Sequence, residues 1–467
     1  MLYNSPALSS TTSTAAQAPA TLARKLRATD YFTLGWGTMV GVGWLVIMDD
    51  WLSRGGALGA LLGFLIGGAV LLPIGWVYGK LVAAMPDAAG EIAYTAAVFP
   101  PSVSFATGWM MMLAYFIVCP WEAVALGRIA AYIIPSLDSI PLYTIAGRPV
   151  YLPHLCVGLG LTGLLTILNY RGIRLSASFQ NWTSFGTLAL FVLFVGLGVS
   201  HGTAANFPPL FTHTPLVSIL LVIQIVPYFM TGFESVGKAA EEASPEFRTG
   251  GFLRAIWMAI FVGMLFYASI VAAVAVVAPW RRLIGAKFMT AVAFQHAIGS
   301  HWIVNIILAA ALLSLFKCFN GNFVAASRLI FALGRRGMIH HRAGAVHARY
   351  QTPFLAVLLV GLATAACMLL GDAILVPITE VGSVACAIGW SATCAAYLAL
   401  SRKKQNWKQS TPERALAILA LLVGTAMVLM KILPGIPGHF TIYEWIALAG
   451  WLAGGAIASA GNSGRIA

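Results

Sequence analysis

The chain has 467 residues, of which 59% are hydrophobic and only 9% charged, with a mean hydropathy of +0.85. That balance excludes a soluble globule. It also turns the formal net charge of +13 away from nucleic acid and towards basic loops beside a bilayer.

A bilayer-crossing helix needs roughly 20 apolar residues, and the chain, divided at its charged and Pro/Gly-rich stretches, offers about twelve such runs. We number them spans 1 to 12, at 30–52, 57–80, 102–134, 150–169, 178–200, 215–240, 252–279, 301–333, 353–371, 375–400, 413–433 and 440–460. The expected class is therefore an all-α integral membrane protein. Residues 1–28 precede the spans with small polar residues, SSTTSTAAQAPAT, and only then a basic cluster, Arg24, Lys25 and Arg27. A secretory signal runs the other way, from basic to apolar, so a disordered cytoplasmic tail is expected. Most other Lys and Arg fall in alternate loops, among them Arg171, Arg174, Arg248, Arg335, Arg336, Arg402 and Lys408. Such loops are cytoplasmic by the positive-inside rule, which puts both termini inside the cell and the protein in the inner (plasma) membrane.

Span 1 contains GWGTMVGVGWLV, with Gly35, Gly37, Gly41 and Gly43. Such glycines either let helices pack closely or let the backbone leave helical geometry, which lipid permits only against protein or a wet cavity. Span 6 carries a second interruption, QIVPYFMTGFESVGKAAEEASP, with Pro227, Gly232 and the ionisable Glu234. Interrupted segments at corresponding places in two halves point to a transporter site near the membrane midplane. Freed amides at Gly41 and Gly43, with Val42 between them, suit a carboxylate. Carbonyls around Met39, Val40 and Met230 suit an ammonium group. Phe229 and Phe233 add an apolar, aromatic wall, which favours an uncharged side chain on the ligand.

An ionisable group at a helix centre costs about 2.5 to 3.5 kcal/mol on the insertion scale, so each needs a reason. Glu122 and Arg128 lie six positions apart in span 3 and are not an i,i+4 pair; Arg128, near the end of its span, is expected to snorkel outward. Glu234 is open to two readings, a hydrogen bond to freed backbone or a substrate or proton role. Glu380 is read as a helix cap. Lys317, in SLFKCFNGNF with Asn320 and Asn322 just after it, sits mid-helix and too deep to snorkel. It is either a proton-exchanging group or a structural cation paired with Glu122 or Glu234.

The six cysteines, Cys119, Cys156, Cys318, Cys367, Cys386 and Cys394, have no CxxC spacing, so neither disulfides nor zinc are expected. His340, His341 and His347 fall in a basic loop and read as solvated surface. No phosphate loop, HExxH or GxSxG motif is present in the sequence, and no cofactor is expected.

Several stretches carry a family resemblance. GTMVGVGWL resembles the first-helix glycine signature of the amino acid/polyamine/organocation permeases. MTGFESVGKAAEEASPEFRTGGFLRAI is similar to their sixth helix and following loop, and AASRLIFALGRRGMIH with TPFLAVL resembles the end of their eighth helix and the start of the ninth. The resemblance implies a LeuT-like five-plus-five inverted repeat with discontinuous helices 1 and 6. The repeats would occupy residues 29–200 and 201–400, with two further helices in 401–467. It also implies alternating access for amino acids or related amines, with an aromatic gate on helix 6. Proton-coupled symport is expected, with ion-independent exchange and ligand sensing as the alternatives. The expected partners are thus a small-molecule substrate, protons and membrane lipid. Departures are Val42 where relatives carry Ser, Trp44 and Leu45 after the last glycine, and Ser244, Gly250 and Gly251 in the loop. Some relatives place a lysine from helix 5 beside the first break; here that stretch, FQNWTSFGTLALF, has none, and Lys317 of helix 8 is the substitute.

Overall fold

The computed structural model describes residues 24–300, 302–403 and 407–460; most of the expected N-terminal tail lies outside them. The chain is mostly helical and multi-pass. Among the described residues, eight helices are long and apolar enough to cross a membrane, and a ninth crossing follows if the bent pair Pro215–Ile223 and Val226–Lys238 counts as one. Span 9 is a shorter apolar helix, Phe354–Met368, and span 12 is Ile442–Ala460.

Spans 1 and 2 meet in one continuous run, Met48–Ala84, turned at Gly56 (φ 69°, ψ 177°). A side chain there would strike the backbone of Leu210 and Phe211 as well as straining a left-handed φ. Span 3 is one membrane-crossing run, Pro101–Ile133, as the sequence predicts, with a local irregularity at Ile117 between Pro101–Phe116 and Val118–Ile133. Pro120 explains it, since its ring crowds the carbonyl four residues back. Span 4 is Leu152–Arg171, span 5 Ile173–His201, span 7 Gly250–Val277, span 8 Trp302–Arg335, span 10 Leu375–Lys403 and span 11 Thr411–Ile432.

The all-α expectation needs one correction. An antiparallel hairpin, Pro141–Ile145 with Arg148–Tyr151, joins spans 3 and 4. The extra helix Met289–Ile298, between spans 7 and 8, was likewise not expected.

Glycine rows set the packing of span 2. Gly59, Gly63 and Gly67 recur every four residues and receive Ser218, Val222 and Val226 of span 6, while Gly68, Gly75 and Gly79 receive Met264, Ile260 and Leu253 of span 7. Small residues at this spacing let backbones approach closely, which replaces the hydrophobic drive that lipid does not supply. Span 12 is held by a reciprocal pair: Trp109 Nε1 donates to the Trp451 carbonyl at 2.9 Å, Trp451 Nε1 to the Trp109 carbonyl at 3.2 Å, with the rings stacked at 4.9 Å.

Candidate functional site

The first helix runs Ala28–Met39 and resumes at Gly43–Val46. Between them Val40 is extended (φ −97°, ψ 100°) and Val42 departs from helical angles (φ −99°, ψ 10°). Freed backbone groups in lipid must find partners within the protein, and the carbonyls here do so mainly from span 8. Ser314 Oγ donates to Val40 and Gly41 at 3.0 and 2.9 Å. Lys317 Nζ donates to Val40 and, at 3.4 Å, to Gly37. Cys318 Sγ and Asn322 Nδ2 donate to Thr38 at 3.1 and 2.9 Å, and Tyr267 Oη of span 7 to Met39 at 3.2 Å. On the amide side, Val42 N donates to Glu122 Oε1 at 3.3 Å. A Cβ on Gly41 would occupy the place of that carboxylate oxygen.

Span 6 is broken twice. It bends by 44° between Ile223 and Val226, and helix is lost again after Met230, resuming at Ser235–Lys238. Glu234 folds back over this second gap, taking the Thr231 hydroxyl at 2.6 Å and the Gly232 amide at 3.1 Å. The two interrupted segments touch. Gly232 has φ +131°, and a Cβ there would lie 2.6 Å from Met39 N and 2.9 Å from the Thr38 carbonyl carbon.

Aromatic rings cover the meeting point from two sides. Phe229 lies over Gly43, whose Cβ would come 2.5 Å from its ring, and packs on Trp51, Phe64 and Tyr267 with centroids 4.9, 6.3 and 5.9 Å away. Phe233 faces the opposite way, against Tyr78 and Trp390 at 5.7 and 5.4 Å.

Ionic contacts close both ends of this axis. Towards the chain's N-terminal side, buried Lys238 pairs with Glu91 at 2.8 Å and donates to Tyr115 Oη at 3.0 Å, and Arg328 pairs with Glu242 at 2.5 Å. Burial pushes the Glu242 carboxyl above the usual carboxylate range, and Arg328 opposes that rise. Lys25 and Leu26 donate their amides to the Glu242 carbonyl at 2.8 and 2.9 Å, so the start of the chain is tied to the loop after span 6. At the other end, Arg54 bridges Asp50 and Glu380, each at 2.8 Å, and Lys431 pairs with Glu380.

The expected residues are distributed as follows. Met39, Val40, Gly41, Val42 and Gly43 form the first gap, and Phe229, Met230, Gly232 and Phe233 line the second. The carbonyls of Met39 and Val40, expected to face a ligand ammonium, accept from Tyr267, Ser314 and Lys317. Two expectations need correction. Glu380 is no cap: it lies inside Leu375–Lys403 and is the hub joining Arg54 and Lys431. Among the described residues, no carboxylate lies within ion-pair distance of Lys317, whose Nζ stands 4.6 Å from the Trp36 ring centroid. Arg128 reaches Asp372 at 3.2 Å, away from the gap, and Asn320 turns to Asn169 of span 4 at 3.1 Å. Ser314, Cys318 and Tyr267 were missed. Their signal was available in part, since residues 314, 317, 318, 321 and 322 share one face of a helix by three- and four-residue spacing.

The family model described as "Amino acid permease" matches residues 27–456. The chain belongs to that family. The permease is 23% identical over 449 residues to the methylthioribose transporter of Bacillus subtilis (strain 168), covering 93% of this chain and 92% of that protein. It is also 23% identical to two other proteins of that organism. One is the amino-acid permease RocE, over 70% of this chain and 69% of RocE; the other is the branched-chain amino acid permease BcaP, over 78% and 77%. The permease is thus a membrane transporter of amino acids or related compounds, not an enzyme.

Proposed function

We propose that the permease is a secondary active transporter of amino acids or small amines, working by alternating access and driven by protons. The observation that carries this reading is the contact of the second gap, at Gly232, with Thr38 and Met39, where the first helix breaks, bridged by hydrogen bonds from span 8. Discontinuous helices that meet inside a bundle are the usual place for substrate in such proteins. In this reading the chain crosses the inner membrane twelve times as two inverted repeats, 29–200 and 201–400, followed by two helices in 401–467, with both termini cytoplasmic. Lys317 is the coupling group, with Glu122 and Glu234 as the next candidates for that role. RocE and BcaP, named for amino acids, and the methylthioribose transporter leave the substrate's chemistry to be decided within that frame.

Uptake into proteoliposomes tests the reading. Accumulation that requires an inward pH gradient supports it. Exchange that needs only internal substrate replaces coupling with antiport, and binding without net or exchange flux makes the protein a sensor.

The gates have their own test. Phe229 is expected to close the Trp51 side and Phe233 the Tyr78 side. Truncating a gate to Ala opens a water path to polar contacts that depend on a dry site, so it should shorten substrate retention. Ordinary core packing predicts a different result: a Phe→Ala loss of about 3 to 5 kcal/mol in stability with retention unchanged in the surviving protein. Dissociation rates beside thermal stability for the two variants separate these outcomes.

A further inference from the structure

Beside the seam that ties the start of the chain to the loop after span 6, the surface is hollowed twice. Leu26 and Ala243 form a parallel bridge there, Ser244 N donates to the Leu26 carbonyl at 3.0 Å, and Arg24 Nε donates to the Ala243 carbonyl at 3.1 Å. One hollow, of about 520 Å³, sets Lys25 and Arg27 against Asp30 and Glu246, so its charges balance. The other, of about 470 Å³, sets Arg27, Arg248 and Arg254 against Glu246 alone, an excess of two positive charges. Among the described residues, no carboxylate lies within ion-pair distance of any of these three arginines.

Three guanidinium groups around one hollow suit an anion, because each offers a planar fork of donors to phosphate or carboxylate oxygens. What lies below the hollow narrows the choice. Arg254 stands near the start of Gly250–Val277, and Trp257, Met258, Phe261 and Leu265 follow it at three- and four-residue steps, each 41 to 49% exposed. An apolar strip thus descends from the basic hollow along the outer face of a membrane-crossing helix. Trp257 Nε1 donates to the Leu72 carbonyl at 3.2 Å, which pins the ring at the top of the strip. A free anion uses only the hollow. A phospholipid uses both, with its phosphate in the hollow and its acyl chains on the strip.

We infer that this hollow is a site for an anionic phospholipid, whose phosphate sits among Arg27, Arg248 and Arg254 and whose chains run along Trp257, Met258, Phe261 and Leu265. Arg27 immediately precedes the first helix, Arg248 follows span 6, and Arg254 belongs to span 7. A bound phosphate therefore ties the same end of both interrupted segments to a third element, and steadies that end in its closed arrangement. The inference goes beyond the transport reading and takes from it only the placing of this end at the cytoplasmic leaflet, where anionic lipids concentrate.

Native mass spectrometry of the purified full-length protein in detergent tests it, with dioleoylphosphatidylglycerol, dioleoylphosphatidylcholine or soluble glycerol phosphate titrated in and the thermal unfolding midpoint measured alongside. Phosphatidylglycerol is expected to bind at least about tenfold tighter than phosphatidylcholine and to raise the midpoint, and glycerol phosphate to do neither at the same concentration. Replacing two of the arginines together, Arg248→Gln with Arg254→Gln, should remove most of that preference. Arg281→Gln with Arg282→Gln, an exposed basic pair beyond the far end of span 7, should keep it. The lipid comparison is made on the unaltered protein, so it stands even where a variant folds poorly. Equal binding of the two lipids, a preference unchanged in the folded Arg248→Gln, Arg254→Gln protein, or one lost equally from the Arg281→Gln, Arg282→Gln protein overturns the inference. Glycerol phosphate that matches the lipid makes this a soluble-anion site, and a dimer that excludes phosphatidylglycerol gives the strip to a second copy; either result overturns the lipid assignment. All these readouts are taken without substrate, so the transporter reading stands or falls separately on uptake.

Discussion

Lys317→Met protein is expected to lose pH-gradient-driven accumulation of substrate completely. The ammonium is fully buried, lies against the Trp36 ring, and fastens span 8 to the Gly37 and Val40 carbonyls of the first gap. Loss of its proton would withdraw charge-assisted hydrogen bonds from that gap and loosen span 1 from span 8, which is the kind of two-state contact that alternating access needs. Methionine keeps the approximate length and removes the charge. The variant also removes a donor from the Gly37 carbonyl, at about 1 to 3 kcal/mol, while Val40 keeps Ser314, so expression and thermal stability are measured alongside transport. A purely structural lysine predicts lower stability with surviving transport still pH-dependent. If Lys317→Met protein concentrates substrate under a pH difference, the coupling role passes to Glu122 or Glu234.

Gly232→Ala is the second large effect. The residue holds φ +131°, and the added methyl group would meet Met39 N at 2.6 Å, the Thr38 carbonyl carbon at 2.9 Å and Met39 Cα at 3.0 Å. All three are backbone atoms of the last turn of the first helix, where it breaks, so no side chain can swing aside. The two gaps must separate or the backbone must change basin, at roughly 2 to 5 kcal/mol from strain and overpacking together. Ligand binding should be lost with it, because the proposed site is the contact itself. Gly43→Ala makes a useful contrast, since its clash is with the edge of the Phe229 ring, which can rotate. Melting temperatures and ligand titrations of the two variants provide the measurement. Gly232→Ala protein with unchanged stability and uptake would refute the idea that the gaps are pressed together for function.

Much of this was legible in the residues because lipid imposes strict rules. Span edges fall where charge and glycine allow, and the two gaps announce themselves through Gly41, Gly43, Pro227 and Gly232 in otherwise apolar runs. The depth of Lys317 followed from its place in span 8. What could not be read was pairing across distant sequence. Glu380 looks like a cap until Arg54, between spans 1 and 2, and Lys431 of span 11 are brought to it. Glu122 looks like an isolated carboxylate until the Val42 amide meets it 80 residues away in sequence. Glu234 is the opposite case: its partners, Thr231 and Gly232, are local. The irregularity at Ile117 was also readable from Pro120.

The fastening of span 11 has a mechanical consequence. At one end Lys431 is buried against Glu380 and also donates to the Gly438 carbonyl at 3.0 Å; at the other, Glu413 meets Lys80 at 2.8 Å, with the lysine side chain 43% exposed. An exposed pair contributes little, whereas losing one partner of a buried pair costs several kcal/mol. Span 11 is thus clamped by a buried pair at the first end, while at the other the exposed pair is joined by Gln409, which donates to the Tyr397 carbonyl of span 10 at 2.6 Å, and by Trp407 on the Tyr397 ring. In the proposed alternating-access cycle, any tilt that carries Arg54 and Glu380 sideways drags the clamped end with it, and span 11 is part of the moving frame rather than a casing around it.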